Sequence, residues 1–347
     1  MRLGLNLGYW GSSADRENVA LAVEAERLGY SVIWAAEAYG SDSPTVLSYI
    51  AAHTDTIDLG SAAMQIPARS AATTAMTAAT LDLLSGGRFR LGLGVSGPQV
   101  SEGWHGVRFD QPLGRSREYT AIVRSVLRRE RVTFDGEHFT LPLPEGPGKP
   151  LRLTVHPARE HIPIYLAAVG PRNCALAGEI ADGWLGIFFA PEHAEMMLDP
   201  LREGRTRVGA DLAGFDVATS VAVSLGADVE TSAEPLRDQA ALYVGGMGSR
   251  EQNFYNRLAV RMGFGEQAER VQQLYLERRP RDAAAAVPLG FLEQTALLGP
   301  RERVRDRLQA YADVGVTTLN LMLPPDSIEQ RVQTLRTVSE AAAAAGV

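Results

Sequence analysis

The chain holds one cysteine and, among its 34 basic residues, one lysine, Lys149. With no partner thiol and no metal-ligand spacing around it, Cys174 excludes an internal disulfide and reads as a small buried apolar residue. Lys149 lies in a Pro/Gly-rich stretch off any expected strand, which leaves Schiff-base chemistry of the aldolase kind without a candidate. His53, His105, His138, His156, His161 and His193 are scattered, with no HxxxH or CxxH spacing among them. A structural metal site is therefore not expected. A GxSxG elbow is missing, so Ser/His/Asp hydrolysis has no nucleophile on offer. No apolar run approaches bilayer length. The net charge of −7 argues against nucleic acid or an anionic membrane as partner. The opening MRLGLNLGYW has one basic residue and alternates, reading as a first strand rather than a signal peptide. These features point to a reducing cytoplasm and a small-molecule partner.

What is present is a repeated unit. Residues 22–29, 174–183 and 303–315 each read as an amphipathic helix ending at Gly29, Gly183 and Gly315. Each glycine sits where a helix would close in the left-handed conformation, and a short apolar run follows. Such runs suit strands buried on both faces of a parallel sheet. Eight are expected, at residues 3–8, 32–36, 57–65, 89–95, 164–168, 185–189, 217–225 and 317–323. Helices are expected at 16–28, 45–53, 72–84, 171–180, 191–208 and 327–345, the last capped by Asp326 or Ser327. Even spacing over 347 residues favours closure into an α/β (β/α)8 TIM barrel over an open doubly wound sheet. The expectation is one domain, 1–347, with insertions after strands 4 and 7 at about 97–162 and 226–300.

Barrel enzymes place their chemistry at strand C-termini and the loops that follow. Here those positions include Trp10, Glu37, Tyr39, Gln65, Ile66, Ser96, Gly97, Ala168, Val169 and Gly170. In the fifth loop, small residues precede Pro171, a residue suited to a first helical turn. Its free N–H groups would suit a phosphate, and an ordinary βα turn has the same composition. GLGVSG at 92–97 lacks the strand-to-helix GxGxxG spacing of a dinucleotide fingerprint.

Residues 60–106, GSAAMQIPARSAATTAMTAATLDLLSGGRFRLGLGVSGPQVSEGWHG, closely resemble the luciferase-like monooxygenase superfamily, and within it the deazaflavin (coenzyme F420)-dependent oxidoreductases of actinobacterial type. GYSVIWAAE at 29–37, FDGEHF at 134–139 and PIYLAAVGPRNCALAGEIADG at 163–183 support the likeness. It implies a barrel that binds F420, or FMN in a reduced-FMN monooxygenase, and transfers hydride; a cofactor-binding barrel without catalysis is a third reading. The family's third-strand bulge, often with a non-prolyl cis peptide under the ring, maps by resemblance to Gln65-Ile66. The cofactor phosphate maps to Ala168, Val169 and Gly170, and the ring or its ribityl chain to Ser96 and Gly97. Glu37 takes the place of an acidic residue at the ring, as hydrogen-bond partner or proton donor. Ala38 and Tyr39 stand where many relatives carry His, leaving Tyr39 as substitute donor. Arg69 and Arg172 are candidates for the cofactor's phosphate or glutamyl tail. Trp10, Trp104 and Tyr255 are candidates for the substrate side. A homodimer is expected from the family's habit of pairing through outer helices.

Overall fold

A computed structural model describes residues 1–8 and 15–347, with backbone only at 15 and 16. Eight parallel strands close on themselves: β1 (Arg2–Asn6), β2 (Val32–Ala35), β3 (Asp58–Ser61), β4 (Phe89–Gly94), β5 (Ile164–Ala167), β6 (Gly183–Ile187), β7 (Asp216–Leu225) and β8 (Thr318–Met322). Each pairs with the next, and β8 returns to β1 with Gly4 opposite Asn320. The helices around them are α1 (Asp15–Arg27), α2 (Ser43–Ala51), α3 (Ala71–Leu84), α4 (Pro112–Leu127), α5 (Pro171–Ile180), α6 (Glu195–Arg207), α7 (Arg301–Asp313) and α8 (Ile328–Ala345). The expected TIM barrel is the fold, and α8 starts from Ser327 through a capping box with Gln330.

Gly29 and Gly315 are left-handed, with φ of 80° and 95°, as helix ends require. Gly183 departs from that expectation. It lies inside β6, and α5 ends earlier with Ala181 in extended backbone. A Cβ at Gly183 would come within 2.3 Å of the Tyr165 ring, so the position is glycine because the barrel interior is full there.

The interior is layered by alternation along the strands. At the N-terminal end, Arg90 is clasped by Asp58 and Asp216, and Tyr165 donates to Asp216 at 2.9 Å. Above lie the fully buried Trp34 and the Tyr165 ring, edge-on at a 5.2 Å centroid separation. Gly60 and Gly92 face this layer; a Cβ on Gly92 would sit 1.9 Å from the Ser61 carbonyl oxygen. The larger apolar core lies between the sheet and the helices.

The segments expected as insertions contain more order than loops. Residues 97–162 carry a short helix (Pro98–Gly103), α4 of the barrel itself and a small hairpin (Phe134–Asp135 with Thr140–Leu141). Residues 226–300 fold into short helices and end in a strand not expected from the sequence, Ala296–Gly299. That strand pairs with residues 222–225 of β7, of which 223–225 run past the pairing with β8. No helix among the described residues is long and apolar enough to cross a membrane.

Candidate active site at the barrel mouth

After Ser61 the third strand breaks and resumes as Met64–Gln65, paired with Leu93 and Gly94 of β4. The break contains a non-prolyl cis peptide at Ala62-Ala63. This corrects the expected position, Gln65-Ile66, by three residues. Ala62 and Ala63 pack on the interior cluster of Trp34 and Tyr165, whereas Ile66 joins the outer core. Gln65 is 4% exposed; its Nε2 donates to the Ala38 carbonyl at 2.6 Å and its Oε1 is buried without a partner.

Glu37 ties this break to its neighbours. Its Oε2 accepts from Arg69 Nη1 at 2.7 Å and from the Gln65 N–H at 3.2 Å. Its Oε1 accepts from Arg69 Nη2 at 2.7 Å and from the Ser43 N–H, which opens α2, at 3.3 Å. The fork also reaches Asp42, the N-cap of α2. Hydrogen bonding to Glu37, more than anything else, holds the Arg69 guanidinium above its ordinary range. Arg69 is thus committed within the protein, contrary to the expectation that it reaches for the cofactor.

Ser96 follows β4 with φ of 63°, a left-handed turn at a non-glycine residue. Gly97 caps the Pro98–Gly103 helix. On the adjacent strand Ala168 is buried and its carbonyl accepts from Trp184 Nε1 at 2.9 Å. Gly170 precedes Pro171 at the start of α5, where no side chain caps the helix. A Cβ on Gly170 would meet nothing within 4 Å. The Val169 carbonyl accepts from Arg261 at 3.3 Å.

Glu37, Gln65, Ile66, Ser96, Gly97, Ala168, Val169 and Gly170 therefore gather along one arc of the mouth, over strands β2 to β5. Tyr255 comes from the far side: it lies on an inserted helix (Phe254–Arg261), its ring 4.8 Å from Tyr243 and 6.1 Å from Phe188. Phe188 follows β6 with φ of 53°, an uncommon conformation for a bulky side chain. Three expected residues are exposed to solvent. Tyr39 and Trp104 are 59% and 68% exposed. Arg172 lines an outer groove of about 280 Å³ beside Arg117 and Arg207, between α4, α5 and α6. Trp10 lies outside the described residues.

Sequence reasoning passed over Asn6, Ser220 and Asn320, which stand on β1, β7 and β8 and face the interior. Asn6 Nδ2 donates to Ser220 Oγ at 3.2 Å, and Trp34 Nε1 donates to Asn320 Oδ1 at 2.8 Å. Asn320 Nδ2 is buried without a partner. Polar residues at alternate positions of otherwise apolar strands were the available signal. Cys174 is buried as expected, and burial pushes its thiol up to about 12.

The family model described as luciferase-like monooxygenase matches residues 6–318. A Mycobacterium tuberculosis protein carrying the name coenzyme F420-dependent oxidoreductase is 42% identical over 326 residues, 92% of this chain and 94% of that one. An F420-dependent glucose-6-phosphate dehydrogenase of Rhodococcus erythropolis is 29% identical over 69% of this chain and 74% of its own. Among solved structures, the coenzyme F420-dependent tetrahydromethanopterin reductase of Methanopyrus kandleri superposes with a TM-score of 0.84 at 23% identity. That match covers 99% of this chain and 98% of the other.

Proposed function

Because the chain belongs to the luciferase-like monooxygenase family, we propose that it is an F420-dependent oxidoreductase, acting on an organic substrate at the mouth of one barrel domain. The observation that carries this reading is the arc of small residues over β3 to β5, faced by buried polar atoms that lack partners. A Cβ added at Gly94 would lie 3.4 Å from Ala63 Cβ and 3.8 Å from Ala167 Cβ, so the three positions present one floor free of side-chain bulk. Gln65 Oε1 and Asn320 Nδ2 are the unpartnered atoms, and a bound polar ring edge would satisfy groups of this kind. F420, when bound, supplies the hydride chemistry.

The chain's own residues position and enclose. Ala62 and Ala63 support one ring face, held there by Glu37 through Gln65. Glu37 is a positioning residue in this reading, since four donors already occupy its carboxylate. Ser96 and Gly97 border the ring or its chain, and Ala168, Val169 and Gly170 cradle the phosphate at the uncapped start of α5. Tyr39 and Trp104, both exposed, belong to the rim in this reading. Arg172 is left to the outer groove, toward the cofactor's glutamyl tail.

Titration with F420, followed by its own fluorescence, tests the reading: saturable binding is expected, and tight binding of FMN with none of F420 overturns it. The cradle has its own test. Gly170→Val is expected to weaken F420 binding at least about tenfold, the equivalent of roughly 1.4 kcal/mol. Its melting temperature should stay that of the parent chain, because the added atoms enter open space.

The homodimer has support in charge distribution. α2 carries no charged residue, and the sole charge on α3, Asp82, is buried against Arg159. Met76, Leu83 and Leu84 are exposed on α3, which packs beside α2. An uncharged apolar face of this kind suits a second copy. Leu84→Arg is expected to run as a monomer in light scattering where the parent chain runs as a dimer; an unchanged mass would relocate the interface.

A further inference from the structure

The outer groove beside Arg172 begins where the loop after β5 ends. Gly170 is the N-cap of α5, and the next two residues, Pro171 and Arg172, already line the groove. It holds about 280 Å³ and runs along α5 past Leu176 to Arg117 on α4 and to Glu203 and Arg207 on α6. A chain that extends outward from a group held at the start of α5 meets this groove first.

Its charges do not balance. Glu179, at the groove's edge, grips Arg117 with both oxygens, at 2.5 and 2.8 Å. Arg207 shares Glu179 at 3.3 Å and bonds Glu203 at 2.5 Å. Both carboxylates are thus occupied. Arg172 is exposed and has no ion pair or hydrogen bond among the described residues. Three guanidiniums therefore meet two carboxylates, and the surplus charge stands at the end nearest Gly170. The chain as a whole carries −7, so an acidic ligand is repelled by the surface at large and drawn to this one place. Between the charges the lining is apolar, from Leu113, Pro171 and Leu176.

We propose that this groove binds the glutamyl tail of the cofactor, with Arg172 paired to its first carboxylate and the apolar lining against its methylenes. The proposal rests on the F420 reading and deepens it, because it assigns the groove a selective role. A surplus of one charge takes up one carboxylate; a second would have to displace Glu179 or Glu203 from its arginine. The groove therefore registers that a tail is present and is nearly blind to its length.

The test compares long-tailed F420, F420 with a single glutamate and F420 with its glutamates removed, each titrated against the full chain by cofactor fluorescence. The parent chain is expected to bind the long-tailed form about fivefold more tightly than the tail-free form, the upper range for one solvent-screened ion pair. The single-glutamate form should keep most of that gain. In Arg172→Gln the ratio should fall to about one, and Arg172→Lys should keep most of it, since the pairing needs charge and not a fork. Arg336→Gln removes an arginine on α8, across the barrel from α4, where it bonds Glu24 at 2.9 Å. It should retain the parent's ratio. Salt at about 1 M, where charges are screened within about 3 Å, should bring the parent's ratio to one. A parent ratio of one at low salt, an undiminished ratio in Arg172→Gln or at high salt, or an equal fall in Arg336→Gln overturns the inference. A parent chain that binds none of the three forms would instead overturn the F420 reading and the inference with it. The two failures are distinguishable, because the groove enters only through the ratio.

Discussion

Arg69→Ala is expected to lose about 3 kcal/mol of stability and to bind F420 at least roughly tenfold more weakly than the parent chain. The Glu37 side chain is 8% exposed, and two of its four donors belong to the Arg69 fork. Removing the fork strands a carboxylate away from water, and the penalty of an uncompensated buried charge exceeds what the pair itself contributes. The contact with Asp42 adds little to that figure, because Asp42 is half exposed and solvent screens it. The cofactor effect arises through Gln65. With the fork gone, Glu37 is free to turn, and the Gln65 N–H loses the acceptor that fixes the break after β3. Arg69→Lys retains the charge without the planar fork and should fall between. The double variant Glu37→Gln, Arg69→Met removes both charges and should recover most of the stability while staying weak in cofactor binding. Urea denaturation and F420 fluorescence read the two effects separately. Equal urea midpoints for Arg69→Ala and the parent chain would show that the clamp carries no weight.

Which of these features the sequence disclosed follows from the range of the forces involved. Strand and helix placement was legible because the alternation of buried runs with helices is local: the expected 171–180 helix coincides with α5, and Ser327 caps α8 as one of two expected residues. Gly29 was read correctly because a helix end needs a positive φ whatever surrounds it. Gly183 was misread because its reason is a contact with Tyr165 across the strand pair, which no local pattern records. The strand Ala296–Gly299 was missed for a like reason. It exists because β7 runs past its pairing with β8 and offers an unpaired edge. The third-strand break was placed three residues late, since residues 57–65 read as one apolar run and the run does not show where the chain turns inward. The arc from Glu37 to Gly170 was expected from strand ends and from resemblance together. The partners of Glu37 and the trio Asn6, Ser220 and Asn320 depend on strands far apart in sequence that barrel closure brings side by side.

Barrel closure also predicts where the fold is weakest to substitution. Asp216→Ala is expected to destabilise the protein by about 3–5 kcal/mol, measured by urea denaturation, more than any change on the outer helices. Asp216 sits at the start of β7 and is 7% exposed. Its carboxylate accepts from Arg2 at 3.0 Å, Arg90 at 3.3 Å, the Tyr165 hydroxyl at 2.9 Å and the Thr318 hydroxyl at 2.8 Å. These donors come from β1, β4, β5 and β8, so one side chain ties strands on both sides of the barrel floor. Alanine would leave the Tyr165 and Thr318 hydroxyls buried without acceptors. It would also leave Arg90 with Asp58 as its one carboxylate partner, which is partly exposed and bonds its Nε and Nη2, while Nη1 keeps the Tyr165 hydroxyl at 3.1 Å. Asp216→Asn retains an acceptor oxygen and most of the volume, so a loss of about half as much is expected. The floor is remote from the mouth, and F420 affinity of the folded fraction should stay within about twofold of the parent chain. A cofactor affinity that collapsed in Asp216→Asn while the urea midpoint held would mean that the floor network shapes the mouth and does not merely close the barrel beneath it.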